Sequence, residues 1–269
     1  MKEVLFDQRD RIYFLTDCSQ LNEALGGFGI QSGNLVVVQA PTGEGKTTFM
    51  MRLAINAAKE HKVAYISCGE QDEKELSVRF ICMIRQIKYQ GVQESSYTPE
   101  QVKDLKSFAE HSEAFSNIDV FYEENDPITL SHKLADDGYK FIFIDYLGCL
   151  LAPTQDQQYQ FLTRVASALK NLATEKNIGI ITAMQTNRSL LSALKDPTLD
   201  PVSVDETFMA DSIGPARKAT ICLSWFNYKN KRYLVLYKNR FNGQKCSAVI
   251  GVDPLSYTWI EYFNPDEGF

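Results

Sequence analysis

The segment A-P-T-G-E-G-K-T-T at residues 40–48 has the spacing of a phosphate-binding loop. Glycines at 43 and 45 let successive backbone N–H groups turn toward one point, where they and a helix N-terminus bind phosphate oxygens. Lys46 would neutralise the terminal phosphates, and the Thr47 hydroxyl would ligate Mg²⁺. The segment therefore predicts a site for a nucleoside triphosphate, ATP or a close relative, with Mg²⁺. Its residues are Pro41, Thr42, Gly43, Glu44, Gly45, Lys46, Thr47 and Thr48.

This segment departs from the usual pattern G-x-x-x-x-G-K-[ST] at one position, because Ala40 replaces the first glycine. Residues 42–47 build most of the concave surface, so the departure leaves phosphate binding intact. A chance Gly-Lys-Thr turn is the alternative. The context argues against it, since the segment lies between an apolar, strand-like run and a helix-like segment.

Three more polar residues, Asp145, Glu70 and Gln185, follow apolar runs that resemble buried strands. An acid at position 145 could hold the water shell of Mg²⁺. A carboxylate at position 70 could orient and deprotonate an attacking water. An amide at position 185 could sense the γ-phosphate. The alternatives are a strand-terminal cap for Asp145, a helix cap for Glu70 and a solvated loop position for Gln185.

The elements that must position these residues can be predicted from periodicity. Amphipathic segments 46–60, 73–88 and 157–175 have helical spacing. They alternate with short runs whose length and composition suit buried strands, which predicts an α/β fold with a mostly parallel sheet flanked by helices. The runs are Leu35–Val38, Val63–Ser67, Ile118–Tyr122, Phe141–Ile144 and Ile178–Ala183.

After residue 218 the pattern changes to strand-like runs separated by turn segments, which predicts antiparallel strands at one edge of the sheet. These runs are Ala219–Trp225, Tyr233–Lys238, Cys246–Val252 and Thr258–Tyr262. We expect residues 1–20, which are more polar, to form an arm outside the core, and residues 21–269 to form one domain. Residues 187–210 have little periodicity and predict a long mobile loop.

Composition narrows the class of protein. The chain carries 28 basic and 34 acidic residues, a net charge of −6, which excludes a broad basic face for coating nucleic acid. Nucleic-acid binding would require local concentration of basic residues, for example inside a ring. Six cysteines without a C-x-x-C pair argue against a zinc site or a disulfide framework. With no apolar signal core and no run long enough to span a bilayer, we expect a soluble cytoplasmic protein.

Taken together, these motifs resemble the RecA-like motor domain of the DnaB family of hexameric replicative helicases, over roughly residues 16–262. The resemblance is carried by G-E at 69–70, I-D-Y-L at 144–147, Q-T-N-R at 185–188 and Y-K-N-R-F at 237–241. Two segments look most like the tailed-phage branch of the family, A-D-S-I-G-P-A-R-K-A at 210–219 and I-G-V-D at 250–253.

The resemblance implies a RecA-like P-loop NTPase that hydrolyses ATP with Mg²⁺ and unwinds DNA in the 5′ to 3′ direction. It also implies a ring, most often a hexamer, with a primase and a helicase loader as partners, in the host cytoplasm if the protein is phage-encoded. In this family Glu70 would be the catalytic base, Asp145 a magnesium ligand through water and Gln185 the γ-phosphate sensor. Lys238 and Arg240 would act on the neighbouring subunit's nucleotide; a solvated hairpin is their alternative.

Single-stranded DNA would then pass through the ring, gripped by loops 152–158 and 188–210. Arg188, Lys195 and Lys218 are the candidate DNA contacts. Two other interpretations share the nucleotide site: a RecA- or RadA-like recombination ATPase, which forms filaments on DNA, and a KaiC-like regulatory ATPase ring, which would not unwind DNA. The Q-T-N-R and K-N-R elements favour the motor by resemblance.

Overall fold

The computed structural model describes residues 12–69, 71–87, 89, 98–111, 116–123, 125–152, 154, 157–210, 212–253 and 257–262. The strands of its central sheet are β3 (Leu35–Ala40), β4 (Val63–Ser67), β5 (Ile118–Tyr122), β6 (Phe141–Asp145), β7 (Gly179–Gln185), β8 (Ile221–Tyr228), β9 (Lys231–Asn239), β10 (Cys246–Val252) and β11 (Trp259–Tyr262). These nine strands lie in the order β11-β10-β9-β8-β3-β7-β6-β4-β5. From β8 to β5 neighbouring strands are parallel, and from β8 to β11 they are antiparallel.

Helices cover both faces of this sheet, because residues of a buried parallel strand alternate between two apolar layers. Val36 and Val38 belong to one core cluster, and Leu35 and Val37 to the other. The first cluster includes α1 (Ser19–Ala24), α2 (Lys46–Ala58) and α3 (Glu73–Arg85); the second includes α5 (Pro127–Asp136), α6 (Gln158–Lys176), α7 (Arg188–Ala193) and α8 (Gly214–Lys218). Helix α4 spans Pro99–His111.

The predicted architecture, a mostly parallel sheet extended by antiparallel strands at the C-terminal edge, is confirmed. Strand bounds differ from the sequence prediction by at most a few residues. The largest differences are at the ends of β8 and β9, which form a longer hairpin than expected around the turn at Lys229 and Asn230.

Residues 12–20 are not an arm outside the core, so this part of the expected boundary at residue 20 is wrong. Strand β1 (Tyr13–Phe14) pairs with β2 (Ile30–Gln31), and the Phe14 ring packs edge-on against Phe141 with centroids 4.9 Å apart. Asp17 binds Arg52 of α2, with Nε to Oδ2 at 2.5 Å. The buried apolar side chains of this segment dock it onto the sheet. Residues 1–11 of the expected arm lie outside the described residues.

The segment 187–210 is not an unstructured loop. It contains helix α7 and two 3₁₀ turns, Pro201–Ser203 and Glu206–Phe208. Local side-chain caps explain the order, because an Asn or Asp carboxamide or carboxylate oxygen accepts the backbone N–H two residues later. The pairs are Asn187 with Ser189, Asp196 with Thr198, Asp200 with Val202 and Asp205 with Thr207.

Within the part of the chain that the structure describes, none of the helices has the length and apolar character required to cross a bilayer.

Candidate nucleotide-binding site

The phosphate loop joins β3 to α2 at the carboxyl edge of the parallel strands. Gly43 has φ +83° and Gly45 has φ +79°, conformations that residues with a side chain rarely adopt. A Cβ on Gly43 would meet no atom within 4 Å, so the backbone angle rather than crowding explains the glycine there. Gly45 is the N-cap of α2 and supplies no side-chain cap, which leaves the first amides of the helix facing a potential ligand.

Lys46 and Asp145 meet across this edge. The Lys46 Nζ lies 2.9 Å from Asp145 Oδ1, and the Tyr65 hydroxyl donates to Asp145 Oδ2 at 2.9 Å. Lys46 Nζ also lies 3.5 Å from the centroid of the Tyr146 ring, and the peptide bond between Asp145 and Tyr146 is cis. Lys46 and Asp145 are only 8% and 4% exposed. The expected proximity of the loop lysine and the acid at 145 is therefore confirmed.

Gln185 ends β7 directly beside the phosphate loop, in register with Ala40. Its side-chain Nε2 donates to the Tyr146 hydroxyl at 2.9 Å, and its carbonyl accepts from the N–H of Ala210 at 2.8 Å. The next residue, Thr186, donates its N–H to the Ala40 carbonyl at 3.1 Å. Gln185 thus connects the tyrosine under Lys46 to the segment that leads into α8.

Glu70 lies outside the described residues, so its role as catalytic base stays a prediction. The residues before it approach the same edge: the N–H of Cys68 donates to the Asp145 carbonyl at 2.8 Å, and Gly69 has φ +89°. Burial raises the pKa of the Cys68 thiol to about 12, which keeps it protonated at neutral pH.

The remaining loop residues face different neighbours. Thr47 is half-buried, and the Thr48 hydroxyl accepts from Arg79 Nη2 of α3 at 3.2 Å. Pro41 is buried, whereas Thr42 is exposed and lines a pocket of about 710 Å³. Besides Thr42, that pocket is lined by Gln185–Arg188 and parts of 209–213, with Tyr159.

Glu44 turns away from the pocket toward the β8–β9 hairpin. Trp225 Nε1 donates to its carbonyl oxygen at 3.0 Å, and Asn227 Nδ2 donates to its carboxylate. Arg232 Nη2 lies 3.9 Å from the same carboxylate oxygen. Sequence reasoning missed Tyr65, Arg79, Trp225 and Arg232, because each reaches the loop from a distant part of the chain.

Comparison with known proteins identifies the family. The model of the DnaB-like helicase C terminal domain matches residues 14–201, more than half of the chain. The chain belongs to this family.

Two relatives illustrate what this family member is similar to. The replicative DNA helicase DnaB of Geobacillus stearothermophilus is 25% identical over 211 residues, 71% of this chain and 45% of that protein. The human DNA repair protein RAD51 homolog 2 is 26% identical over 275 residues, 95% of this chain and 68% of that protein. The chain therefore spans less than half of the bacterial DnaB relative.

Among solved structures, one of an isolated ATPase domain has a TM-score of 0.74 at 17% identity, covering 97% of this chain and 95% of that one. A DnaB-like replicative helicase, described with its interactions with primase, has a TM-score of 0.73 at 19% identity and covers 97% of this chain and 66% of that one. These likenesses confirm the RecA-like fold.

The K-x-R element of this DnaB-family chain lies far from its own phosphate loop. Lys238 pairs with Cys222 in β8, and the N–H of Arg240 donates to Thr220, whose own N–H donates to Leu35 at the start of β3. Leu35 is five residues before Ala40, so the two edges are on the order of 17 Å apart at about 3.3 Å per residue.

Both side chains are anchored on helix α8. Lys238 Nζ donates to the carbonyls of Ala216 at 2.5 Å and Arg217 at 3.2 Å, and Arg240 Nη2 donates to Arg217 at 2.7 Å. These bonds satisfy carbonyls at the C-terminal end of the helix. Burial lowers the pKa of the Lys238 ammonium.

The predicted DNA contacts lie on three different elements and are all exposed. Arg188 begins α7 and lines the pocket beside Gln185, Lys195 follows α7 in a turn, and Lys218 ends α8. In the other predicted loop, 152–158, residues 153, 155 and 156 lie outside the described residues. The structure thus brings only Arg188 of the three beside the phosphate edge.

The residues at this edge fit a Mg²⁺–nucleotide complex. Mg²⁺ prefers oxygen ligands, which the Thr47 hydroxyl and the Asp145 carboxylate supply. The Lys46 ammonium already lies against an anionic oxygen, as it would against a phosphate. The glycines at 43 and 45 provide the backbone conformations that a phosphate nest requires.

Proposed function

We propose that this chain is the motor of an ATP-dependent replicative DNA helicase. It assembles as a ring, most often a hexamer, moves 5′ to 3′ on single-stranded DNA and unwinds duplex DNA by hydrolysing ATP. The observation that carries the proposal is the contact between Lys46 and Asp145 at the carboxyl edge of a DnaB-family fold.

The chemistry follows from the side chains at that edge. The loop amides and Lys46 bind the phosphates, and Thr47 with Asp145 holds Mg²⁺, which when bound neutralises charge on the phosphate oxygens. Glu70 orients and deprotonates the attacking water. Gln185 lies between the γ-phosphate position and residues 209–218, so its contact changes when that phosphate leaves.

The position of Lys238 and Arg240 supports a ring. They lie at the opposite edge of the sheet from their own phosphate loop, which leaves a neighbouring subunit's nucleotide as their target. Head-to-tail contacts of this kind close into rings when the rotation allows. An arginine supplied in trans contributes about 10³–10⁵ in rate.

DNA and protein partners follow from the same proposal. Arg188 lies beside Gln185, so a DNA phosphate bound there would be coupled to the nucleotide; Lys195 and Lys218 would add contacts within the channel. A primase is supported by the likeness to the DnaB-like helicase that is described with its primase interactions, and a loader by family resemblance alone. We place the protein in the tailed-phage branch from residues 210–219 and 250–253, and in the host cytoplasm.

The match to the human RAD51 homolog 2 favours a second candidate, a recombination ATPase, because it extends over 95% of the chain. Such a protein would form open filaments on DNA and exchange strands. The family match and the K-x-R element support the helicase motor instead.

The decisive experiment measures the ATPase rate with and without single-stranded DNA, with electron microscopy of the same sample. The motor requires DNA-stimulated turnover and closed rings. Open filaments with strand exchange would favour the recombination ATPase. Equal rates with and without DNA, in closed rings that do not unwind a forked duplex, would favour a KaiC-like regulatory ATPase.

A further inference from the structure

The phosphate loop contains an acidic residue, Glu44, whose charge opposes a bound triphosphate. A carboxylate near phosphate oxygens weakens binding by like-charge repulsion unless a cation compensates it. Here the carboxylate accepts a hydrogen bond from Asn227 and lies 3.9 Å from Arg232 Nη2. Arg232 Nε also donates to Asn227 Oδ1 at 3.2 Å. Carboxylate, amide and guanidinium therefore form one connected group.

The backbone of Glu44 is fixed from the same side. Trp225 Nε1 donates to the Glu44 carbonyl, and the Trp225 ring is 2% exposed. That ring packs against Phe49 of α2 with centroids 4.7 Å apart, and Arg232 lies over it at 5.2 Å. Because a trans peptide is planar, the N–H of Gly45 points opposite to the Glu44 carbonyl, away from Trp225.

The hairpin that supplies these contacts is rigid at this point. Asn227 and Arg232 are direct partners in the antiparallel pair of β8 and β9. Trp225 lies two residues before Asn227, so both residues project from the same face of β8. The three side chains therefore reach the tip of the phosphate loop as a preformed set.

We propose that Arg232 is a positioning residue for nucleotide binding: it neutralises Glu44 and, with Asn227 and Trp225, holds the tip of the phosphate loop in its phosphate-binding conformation. The proposal rests on the proposed ATP binding and adds a residue outside the loop on which affinity depends. Glu44 and Arg232 side chains are 30% and 29% exposed, so solvent screens their interaction in part and the effect is moderate.

The test measures Mg-ATP affinity, by titration with a fluorescent ATP analogue, of the wild type, Arg232→Gln, Glu44→Gln and the double variant. Arg232→Gln leaves the Glu44 charge uncompensated and should weaken binding by about three- to tenfold at low salt. The double variant should bind within about twofold of Glu44→Gln, because no charge remains to oppose the phosphates. High salt should shrink the defect of Arg232→Gln.

Three controls separate the outcomes. Lys231→Gln removes the same charge from the opposite face of β9 and should leave affinity unchanged. Arg232→Lys keeps the charge and should retain most of the affinity. Thermal melting of each variant reports folding. A double variant as weak as Arg232→Gln, or Arg232→Gln at wild-type affinity, overturns the proposal. Absent binding in the wild type would instead refute the proposed function.

Discussion

The Lys46 ammonium and the Asp145 carboxylate form a buried ion pair across the end of strand β7, with 2.9 Å between Nζ and Oδ1. The two residues lie 99 positions apart in sequence and on elements separated by one strand. The pair therefore reports the correct assembly of the whole carboxyl edge, and a phosphate and Mg²⁺ would compete for the two partners.

Lys46→Ala should abolish ATP binding, because the loop loses the cation that neutralises the phosphates. It should also lower the free energy of unfolding by about 3 kcal/mol, since the buried Asp145 keeps a neutral donor, the Tyr65 hydroxyl, but loses its cation. Calorimetric titration with Mg-ATP and urea unfolding measure the two effects. Adding Asp145→Asn should recover part of the stability but none of the binding. Retained hydrolysis in Lys46→Ala would remove the phosphate-loop assignment.

Glu70→Gln should keep ATP affinity and lose turnover by about 10²–10⁴-fold, because the amide cannot accept the proton of the attacking water. Single-turnover hydrolysis measured beside equilibrium binding separates the two quantities. Glu73→Gln, three residues away at the start of α3, is the matched control and should turn over normally. Equal rates for Glu70→Gln and the wild type would assign the base elsewhere.

Tyr146→Phe should lower DNA-stimulated turnover to about the same extent as Gln185→Ala, because it removes the hydroxyl that Gln185 contacts and keeps the ring that packs on Lys46. A neutral hydrogen bond of this kind contributes about 1 kcal/mol, roughly fivefold in rate. The double variant should be no worse than either single variant if the two residues act together. Additive losses would show that they act separately.

Arg240→Ala should poison wild-type subunits when the two are mixed, since each variant subunit leaves its neighbour's nucleotide without the arginine. ATPase activity should then fall more steeply than the fraction of variant protein. Lys245→Ala, an exposed lysine beyond the end of β9, provides the matched mixture and should leave activity unchanged. Loss strictly proportional to the variant fraction would place Arg240 in its own subunit.

The Lys238 ammonium should lose its proton at a lower pH than an exposed lysine, because burial lowers its pKa below the ordinary value of 10.5. Its charge is therefore present at neutral pH and lost as pH rises through the lowered pKa. Ring ATPase activity should fall on that alkaline limb, and Lys238→Arg should move the limb upward, since arginine stays charged. Identical alkaline limbs in the two proteins would exclude Lys238 as the titrating group.

The sequence predicted the sheet well because its strands are buried runs bounded by turn residues, and their order follows from alternation with helices. It predicted the adjacency of Lys46 and Asp145 because carboxyl ends of parallel strands share one edge. It could not predict that Glu44 contacts Asn227, 183 positions away, since no local pattern encodes such a pairing. The order within 187–210 was readable from its Asn and Asp caps, which act over two residues, but periodicity does not detect them.

Strand β9 carries Arg232 near its start and Lys238 near its end, about 20 Å apart at roughly 3.3 Å per residue. The first lies against the chain's own phosphate loop, and the second is proposed to serve the adjoining protomer. In a closed ring, each copy of this strand would act as a stiff rod spanning two ATP sites, hydrogen-bonded on both sides by β8 and β10. Hydrolysis at one site would then set the timing of the next, so that firing proceeds around the circle in a fixed order.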